Sequence, residues 1–503
     1  MEAITRGLSV LLVDAGDFSG GTSSRSTKLV HGGVRYLEKA ILGFDRSQFN
    51  LVRDALHERS TLLRIAPHLV RILPIFTPVY STLELPYYLA GLKLYDRLAG
   101  RHNLKSSYFV SAKKALTHFP MLKSEGLRGG VTYYDGQFDD ARLNVCLLMT
   151  AVEKGAVAIN YAKVVGFEKV QGKIVAANIN DKISGDSYRV KARTVINAAG
   201  PFVDGIRQLD NPKCKKILNA SSGVHLVTTR RLCPSDTGIL VPKTEDGRVL
   251  FVLPWLNQFL VGTTDQPAEI EKHPEALEAD IQYILRQMKR YFSMKLERSE
   301  VASAWCGLRP LVSNPEEADT AGLSRDHVIV SAPSGLMSIA GGKWTTYRKM
   351  AEDSINTLAK TWKRDDIPYS RTSKIPLAGG DHYGPHIAVL LQETFGLSSV
   401  SAQHLLGTYG DRAVEVAEIA KQGYSQRLVP HLPYLEAEVI YAVQKEFAIK
   451  PSDVLSRRTR ISFLDAKAAL TALPRVVALM GELLGWDASE RQVNEEEARR
   501  HLI

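Results

Sequence analysis

Cysteine is scarce in this chain. Cys146, Cys214, Cys233 and Cys306 are the only four among 503 residues, they lie far apart, and no two form a C-x-x-C pair. That pattern excludes a disulfide framework and a cysteine metal site, and it points to a reducing compartment. Long apolar runs are missing as well. Nothing approaches the roughly 18 consecutive apolar residues of a spanning helix, so any membrane attachment is expected to be peripheral. Glu2, Arg6 and Asp14 interrupt the first residues and exclude a signal peptide. There is no internal repeat, no low-complexity tract and no D-x-D-x-D-G calcium loop.

Apolar residues make up 45% and charged residues 23% of the chain, the proportions of an ordinary soluble globular protein. The length allows for roughly three domains. Lysine and arginine outnumber aspartate and glutamate, leaving a net charge of +10, which favours anionic partners through the field it creates. Nucleic acid is excluded from those partners, because no helix-turn-helix, zinc or aromatic-interleaved basic signature accompanies the charge. An anionic substrate, cofactor or membrane surface remains.

One stretch organises the rest. Residues 8–13 form a short apolar run that reads as a buried strand. Asp14 follows where a doubly wound sheet offers a carboxylate to a ribose hydroxyl. Then come Gly20-Gly21, the hydroxyl residues Ser19, Thr22, Ser23, Ser24 and Ser26, the cations Arg25 and Lys28, and His31-Gly32-Gly33-Val34-Arg35-Tyr36. Small, donor-rich and cationic residues let a backbone approach a phosphate closely.

Along the chain, helical spacing predicts a helix over about 45–66, ended by Pro67. Residues 73–80 read as an edge strand, because two prolines fit poorly in a central one. Residues 83–99 mix apolar and aromatic side chains with Lys93 and Arg97, as a core helix or one resting on lipid headgroups does. A strand over 130–140 leads into an apolar helix over 141–154. Strands follow at 156–165 and 174–190, and residues 193–201 form a β-branched run ending at Ala198-Ala199-Gly200-Pro201, a ligand-facing turn. From 221 to 310 the texture is strand-rich, with one amphipathic helix over 275–292. Strands at 328–331 and 336–340 precede Gly341-Gly342-Lys343-Trp344-Thr345-Thr346-Tyr347-Arg348, a turn opening a helix whose N-terminus favours negative charge. Residues 371–503 read as helix pairs. Within them, the basic cluster 456–460 reads as a solvated face or a phosphate contact, the solvated face being the commoner case.

At the opening stretch and the Gly341–Arg348 turn the sequence resembles the FAD-dependent, membrane-associated, quinone-reducing glycerol-3-phosphate dehydrogenases, and the resemblance extends from about Glu2 to the last helix. That family begins with a strand and a G-x-G-x-x-G turn ahead of the residue matching Asp14. Residues 1–7 here align with the helix after that turn, so the expectation is a cofactor domain whose first βα unit is missing. The resemblance implies an α/β, Rossmann-like fold of the two-dinucleotide-binding-domain type, with a β-rich substrate domain and an all-helical C-terminal domain. The expected division is 1–80, 141–220 and 311–370 for FAD, 81–140 and 221–310 for substrate, and 371–503 for the helical domain.

The site residues follow from the same resemblance. Asp14, Thr22, Ser23, Ser24, Arg25, Ser26, Lys28, His31, Gly32, Gly33, Ala199, Gly200, Gly342, Lys343 and Thr345 are implied to hold FAD. Arg35, Tyr36, Arg309, Arg325 and Lys343 are implied to bind sn-glycerol 3-phosphate, a dianion suited to several cations. His225, Arg309 and Lys343 are the catalytic candidates. His225 is the proton acceptor, since an imidazole titrates near neutrality, although a histidine in a β run is commonly a packed one; His31 is the second candidate. Cys306 stands where the family more often has serine. The implied reaction moves hydride from C2 of glycerol 3-phosphate to FAD, giving dihydroxyacetone phosphate, with electrons passed to a membrane quinone. The rivals are an oxidase using oxygen and a non-catalytic chain unable to hold FAD. The implied location is a peripheral one, on the bacterial inner membrane or the mitochondrial inner membrane, and a homodimer stays open.

Overall fold

The computed structural model describes residues 1–33, 46–312 and 327–502. Its largest element is a mixed sheet of ten strands. In order these are Gln266–Ala268, Leu218–Thr228, Gln258–Gly262, Leu250–Trp255, Gly238–Val241, Val70–Val79, Gly129–Phe138 and Leu29–Val30. Val301–Val312 pairs with Leu218–Thr228, and Tyr108–Ser111 with Gly129–Phe138. The Leu218–Thr228 and Val301–Val312 pair is antiparallel from Leu218 opposite Val312 to Thr228 opposite Val301, with one register shift near its end. Such a ladder fixes which side chains stand opposite one another. Residues 301–312 lie at the end of the strand-rich region expected over 221–310, and they form one continuous strand.

A correction concerns Val70–Val79. It was expected at an edge, yet it lies inside the sheet, antiparallel to Gly129–Phe138 along its whole length and parallel to Gly238–Val241 on the other side. The prolines are tolerated because the parallel partner touches only Ile75 and Phe76. Pro74 and Pro78, which lack an N–H, fall outside that short contact.

Parallel pairing occurs in two smaller sheets. Leu11–Val13 pairs with Val157–Ile159, and Val195–Asn197 with Leu336–Gly341, whose other neighbour is the antiparallel strand His327–Ser331. Asp14 and Ala199-Gly200 therefore both stand just past the C-terminal ends of parallel strands, where open α/β sheets bind ligands. Leu11, Leu12, Val157 and Ile159 remain exposed on the first of these sheets.

Of the helices, Glu84–Ala99 packs one face into the core and leaves the other exposed. Leu92, Tyr95 and Ala99 are buried, while Leu83, 89% exposed, and Tyr87 face outward. Among the described residues no helix is long and apolar enough to cross a membrane. From Pro385 to Leu502 the chain is helical, but it does not stand apart. Val439, Leu455, Ile461, Leu473 and Val476 share one apolar core with Leu29, Leu56, Leu73, Trp255 and Trp305.

Candidate active site

Residues 14–33 run along the seam of these parts and are tied to each. The Asp14 amide continues the parallel ladder by donating to the Ile159 carbonyl at 3.0 Å. Its carboxylate accepts from the Gly16 amide at 2.9 Å, and burial lifts its pKa to about 6. Thr22 donates its hydroxyl to the Leu308 carbonyl at 2.7 Å, and Arg25 Nη1 donates to the Cys306 carbonyl at 3.3 Å, both on strand Val301–Val312. The Ser23 carbonyl accepts from Trp344 Nε1 at 2.9 Å, and the His31 amide donates to Thr345 Oγ1 at 3.2 Å. The turn after Leu336–Gly341 is thus docked on the opening stretch. Gly32 donates its amide to the Tyr95 hydroxyl at 2.7 Å, and any side chain there would collide with Tyr95 and Leu56 at 2.9 Å.

The hydroxyl-rich character has a physical role that its composition alone did not reveal. Ser24 donates to Gly21, and Ser26 donates both its amide and its hydroxyl to Asp140 Oδ2. Lys28 is wholly buried, its ammonium 2.7 Å from Asp140 and 2.8 Å from the Ser24 carbonyl, over the face of Trp305. Its ammonium is paired with Asp140, so Lys28 braces the stretch from within.

Arg25 behaves differently. It has no carboxylate partner among the described residues, and its Nε has no hydrogen bond. Burial and the charges of Arg457 and Arg460 draw its pKa down to about 10. A half-buried guanidinium crowded by like charges favours an anion. It lines a small cleft together with Gly21, Thr22, Pro201, Phe202, Glu271 and Lys272. Ala199 is held by Asn197 Oδ1 at 3.3 Å, and Gly200 takes φ of +56°, which a glycine adopts without strain.

On the other side of the stretch stands the long antiparallel ladder. His225 lies opposite Trp305 and stacks on it at 4.2 Å. Its Nε2 is 2.9 Å from the Thr27 hydroxyl. Burial, then the charges of Lys28 and Arg309, hold its pKa well below the usual value, so the ring is neutral. Arg309 lies opposite Ser221. Its Nη1 donates to the Ser222 carbonyl and to Asp265 at 3.1 Å, and its Nη2 to Thr263 Oγ1 and the Thr264 carbonyl at 3.0 Å. Gly223 is required there, since a Cβ would sit 2.3 Å from Nη2. About a quarter of the Arg309 side chain stays exposed. Lys343 precedes the turn Trp344–Thr346, ahead of helix Tyr347–Trp362, with Gly341 and Gly342 at φ of +77° and +79°. Arg35, Tyr36 and Arg325 lie outside the described residues.

Two residues that sequence reasoning passed over hold the stretch together, Asp140 and Asp17. The Asp139-Asp140 pair opening helix Asp140–Glu153 was the available signal, because only one carboxylate is needed as a cap, and Asp139 supplies it to Arg142. The basic cluster 456–460 needs the largest correction. It is not a solvated face. Arg458 and Arg460 are fully buried. Arg458 forms a two-bond pair with Asp17, both bonds at 2.8 Å, and Arg457 bridges Asp17 and Asp453. Arg460 donates to the Ser24 carbonyl at 2.7 Å and lies 3.4 Å from Asp140.

Short parallel sheets ending at Asp14 and at Ala199-Gly200, beside a large mixed sheet, make the fold of an FAD-dependent oxidoreductase. Residues 1–348 match the family model described as FAD dependent oxidoreductase, and residues 370–491 match the C-terminal domain of alpha-glycerophosphate oxidase. The chain is 48% identical over 516 residues to the human mitochondrial glycerol-3-phosphate dehydrogenase, spanning 100% of this chain and 71% of that protein. It is 44% identical over 512 residues to a probable mitochondrial glycerol-3-phosphate dehydrogenase of Caenorhabditis elegans, with the same coverage. Its structure resembles the glycerol-3-phosphate dehydrogenase of Bacillus halodurans solved with FAD, at a TM-score of 0.81 and 31% identity, covering 100% of this chain and 91% of the other. The chain belongs to the FAD-dependent glycerol-3-phosphate dehydrogenase family, in its mitochondrial type.

Proposed function

We propose that this protein oxidises sn-glycerol 3-phosphate to dihydroxyacetone phosphate and delivers the electrons to a membrane quinone from a peripheral position on the mitochondrial inner membrane. The observation that carries the reading is the convergence on residues 22–28 of the cation-lined cleft, the Lys343 turn and the ladder bearing His225 and Arg309. FAD, when bound, supplies the hydride acceptor for C2 of the substrate.

Everything else falls to side chains. Asp14 accepts from a ribose hydroxyl, and Arg25 meets the diphosphate. The N-terminal amides ahead of helix Tyr347–Trp362 would favour negative charge on a bound flavin. Arg309, preset by the hydrogen bonds to residues 221–222 and 263–265, and Lys343 hold the substrate's phosphate, together with Arg35, Tyr36 and Arg325. The hydroxyl proton passes through Thr27 to His225, whose neutral ring has Nε2 aimed at the Thr27 oxygen. We propose the same division of the chain that the sequence implies, with residues 371–503 as the helical part.

The experiment is anaerobic. Addition of glycerol 3-phosphate to the folded yellow protein bleaches the flavin absorbance, and folded holoprotein that stays yellow refutes the assignment. The match of residues 370–491 to a domain of an oxidase makes oxygen the rival acceptor. Rapid reoxidation by a short-chain quinone with little peroxide in air supports the dehydrogenase, whereas stoichiometric peroxide with no quinone present supports the oxidase.

A further inference from the structure

The stretch that receives the cofactor is held at both ends by one short piece of the helical part, more than 400 residues away in sequence. The piece is Asp453–Arg458, a single π-helical turn, followed by Thr459 and by Arg460 at φ of +65°. A π-turn and a left-handed residue are both departures from regular helix, and such departures inside helices are frequent at functional positions. Here they turn three guanidinium groups toward the cofactor stretch.

At the near end, Arg458 grips both oxygens of Asp17 at 2.8 Å, and Arg457 takes a second share of Oδ2. The Asp17 carbonyl in turn accepts from the Gly20 amide at 3.0 Å, closing the turn that leads into Gly21. At the far end, Arg460 and Lys28 donate to the same carbonyl, that of Ser24, at 2.7 and 2.8 Å. Asp140 then gathers Ser26 and Lys28. Between these anchors lie Gly21, Thr22 and Arg25, the residues lining the cleft. The groups involved are buried, so each bond is made in a medium that strengthens it and penalises its loss.

We infer that Arg458 and Arg460 are positioning residues for FAD: acting through Asp17, Asp140 and the Ser24 carbonyl, they set the conformation of residues 17–28 to which the diphosphate binds. The helical part is therefore a component of the cofactor site. The depressed pKa of Arg25, caused in part by Arg457 and Arg460, is consistent with this, since the cluster also adds positive field at the cleft.

A purely structural role is separable from this one. Arg142 and Glu446 form another buried two-bond pair, at 2.7 and 2.8 Å, between helix Asp140–Glu153 and the helical part; Arg142 itself makes no bond to residues 17–28, and Arg458 meets Glu446 only at its main-chain carbonyl, which Arg142→Lys leaves in place. The experiment measures FAD affinity of deflavinated protein by flavin-fluorescence titration, alongside melting temperature without FAD. It compares Arg458→Lys, the charge-free pair Asp17→Asn with Arg458→Gln, and Arg142→Lys. The lysine variant keeps charge and fold but loses the fork; it is expected to weaken FAD about tenfold. The charge-free pair, which leaves no orphaned carboxylate, is expected to weaken FAD at least as much. Arg142→Lys is expected to lower the melting temperature by a similar amount while FAD affinity changes less than about twofold. If Arg458→Lys binds FAD like the parent, or if Arg142→Lys weakens FAD as much as Arg458→Lys does, the inference is overturned.

Discussion

The mixed sheet and the two small parallel sheets solve the problem of placing a side chain in opposite ways. In the mixed sheet, His225 and Arg309 sit on two strands paired over their full length, and the partners of Arg309 lie on that ladder or at residues 263–265 beside it. Position is settled by register. In the parallel sheets the pairings are three residues long, and the Leu11–Val13 sheet leaves apolar residues exposed. The loops at their ends are fixed from outside, by Asp140, by Trp344 and by arginines from the helical part. The substrate side is locally determined; the cofactor side is assembled from distant charges.

The contrast is broken most severely by removing a buried charge behind the mixed sheet. Arg59 and Asp135 pair at 2.6 Å, and Asp135 accepts from the Tyr95 hydroxyl that holds Gly32. Arg59→Met leaves the carboxylate uncompensated and is expected to cost about 3–5 kcal/mol in denaturant unfolding. A loss below ~1 kcal/mol would show that the network is not a determinant of this region. Arg309→Leu is expected to lower kcat/KM for glycerol 3-phosphate by roughly 10²–10³-fold, with flavin content unchanged. Loss of flavin in that variant would erase the distinction between the two sides. Thr27→Val, which removes the hydroxyl facing His225, is expected to lower kcat by roughly 10–100-fold without altering FAD affinity. An unchanged kcat in single-turnover measurements would remove Thr27 from the proton path.

How far the sequence could be read follows the same division. Asp14, the hydroxyl run, Gly32-Gly33 and the Gly341–Arg348 turn are contiguous motifs, and the structure brings them together as neighbours. The arginines at 457, 458 and 460 were misread because a lone basic cluster is ordinarily solvated, and its counterion, Asp17, lies about 440 residues earlier. No local pattern carries that pairing. Val70–Val79 was misplaced for a related reason: whether a proline harms a strand depends on how much of the neighbouring strand reaches it. Residues 221–310 read as strand-rich, but the pairing that sets Trp305 opposite His225 is not legible in the sequence.

Two weaker perturbations sharpen the cofactor side. Asp14 has its folded pKa raised to about 6 by burial. A raised carboxyl contributes stability that is complete below its unfolded value and is lost as pH rises through about 6, so the apoprotein should lose a small amount of stability between roughly pH 4 and 6. Because a ribose hydroxyl donates to the ionised form, FAD affinity should rise across that interval, by up to about tenfold. In Asp14→Asn both slopes should flatten, and an affinity profile unchanged by the substitution would exclude Asp14 from the ribose. The smallest effect belongs to the exposed strand. Leu12→Thr is expected to change stability by no more than ~0.5 kcal/mol, and a larger loss in thermal unfolding would mean that this edge is covered in solution.

The most direct test is single-turnover flavin reduction without oxygen, comparing glycerol 3-phosphate with glycerol in the parent protein and in Arg309→Leu. If cations on the mixed sheet present the substrate to a cofactor held by residues 14–33, glycerol 3-phosphate reduces the parent rapidly and glycerol hardly at all. Arg309→Leu should bind FAD normally and lose most of that preference. Equal reduction by the two alcohols, or a full preference retained in Arg309→Leu, would contradict the account.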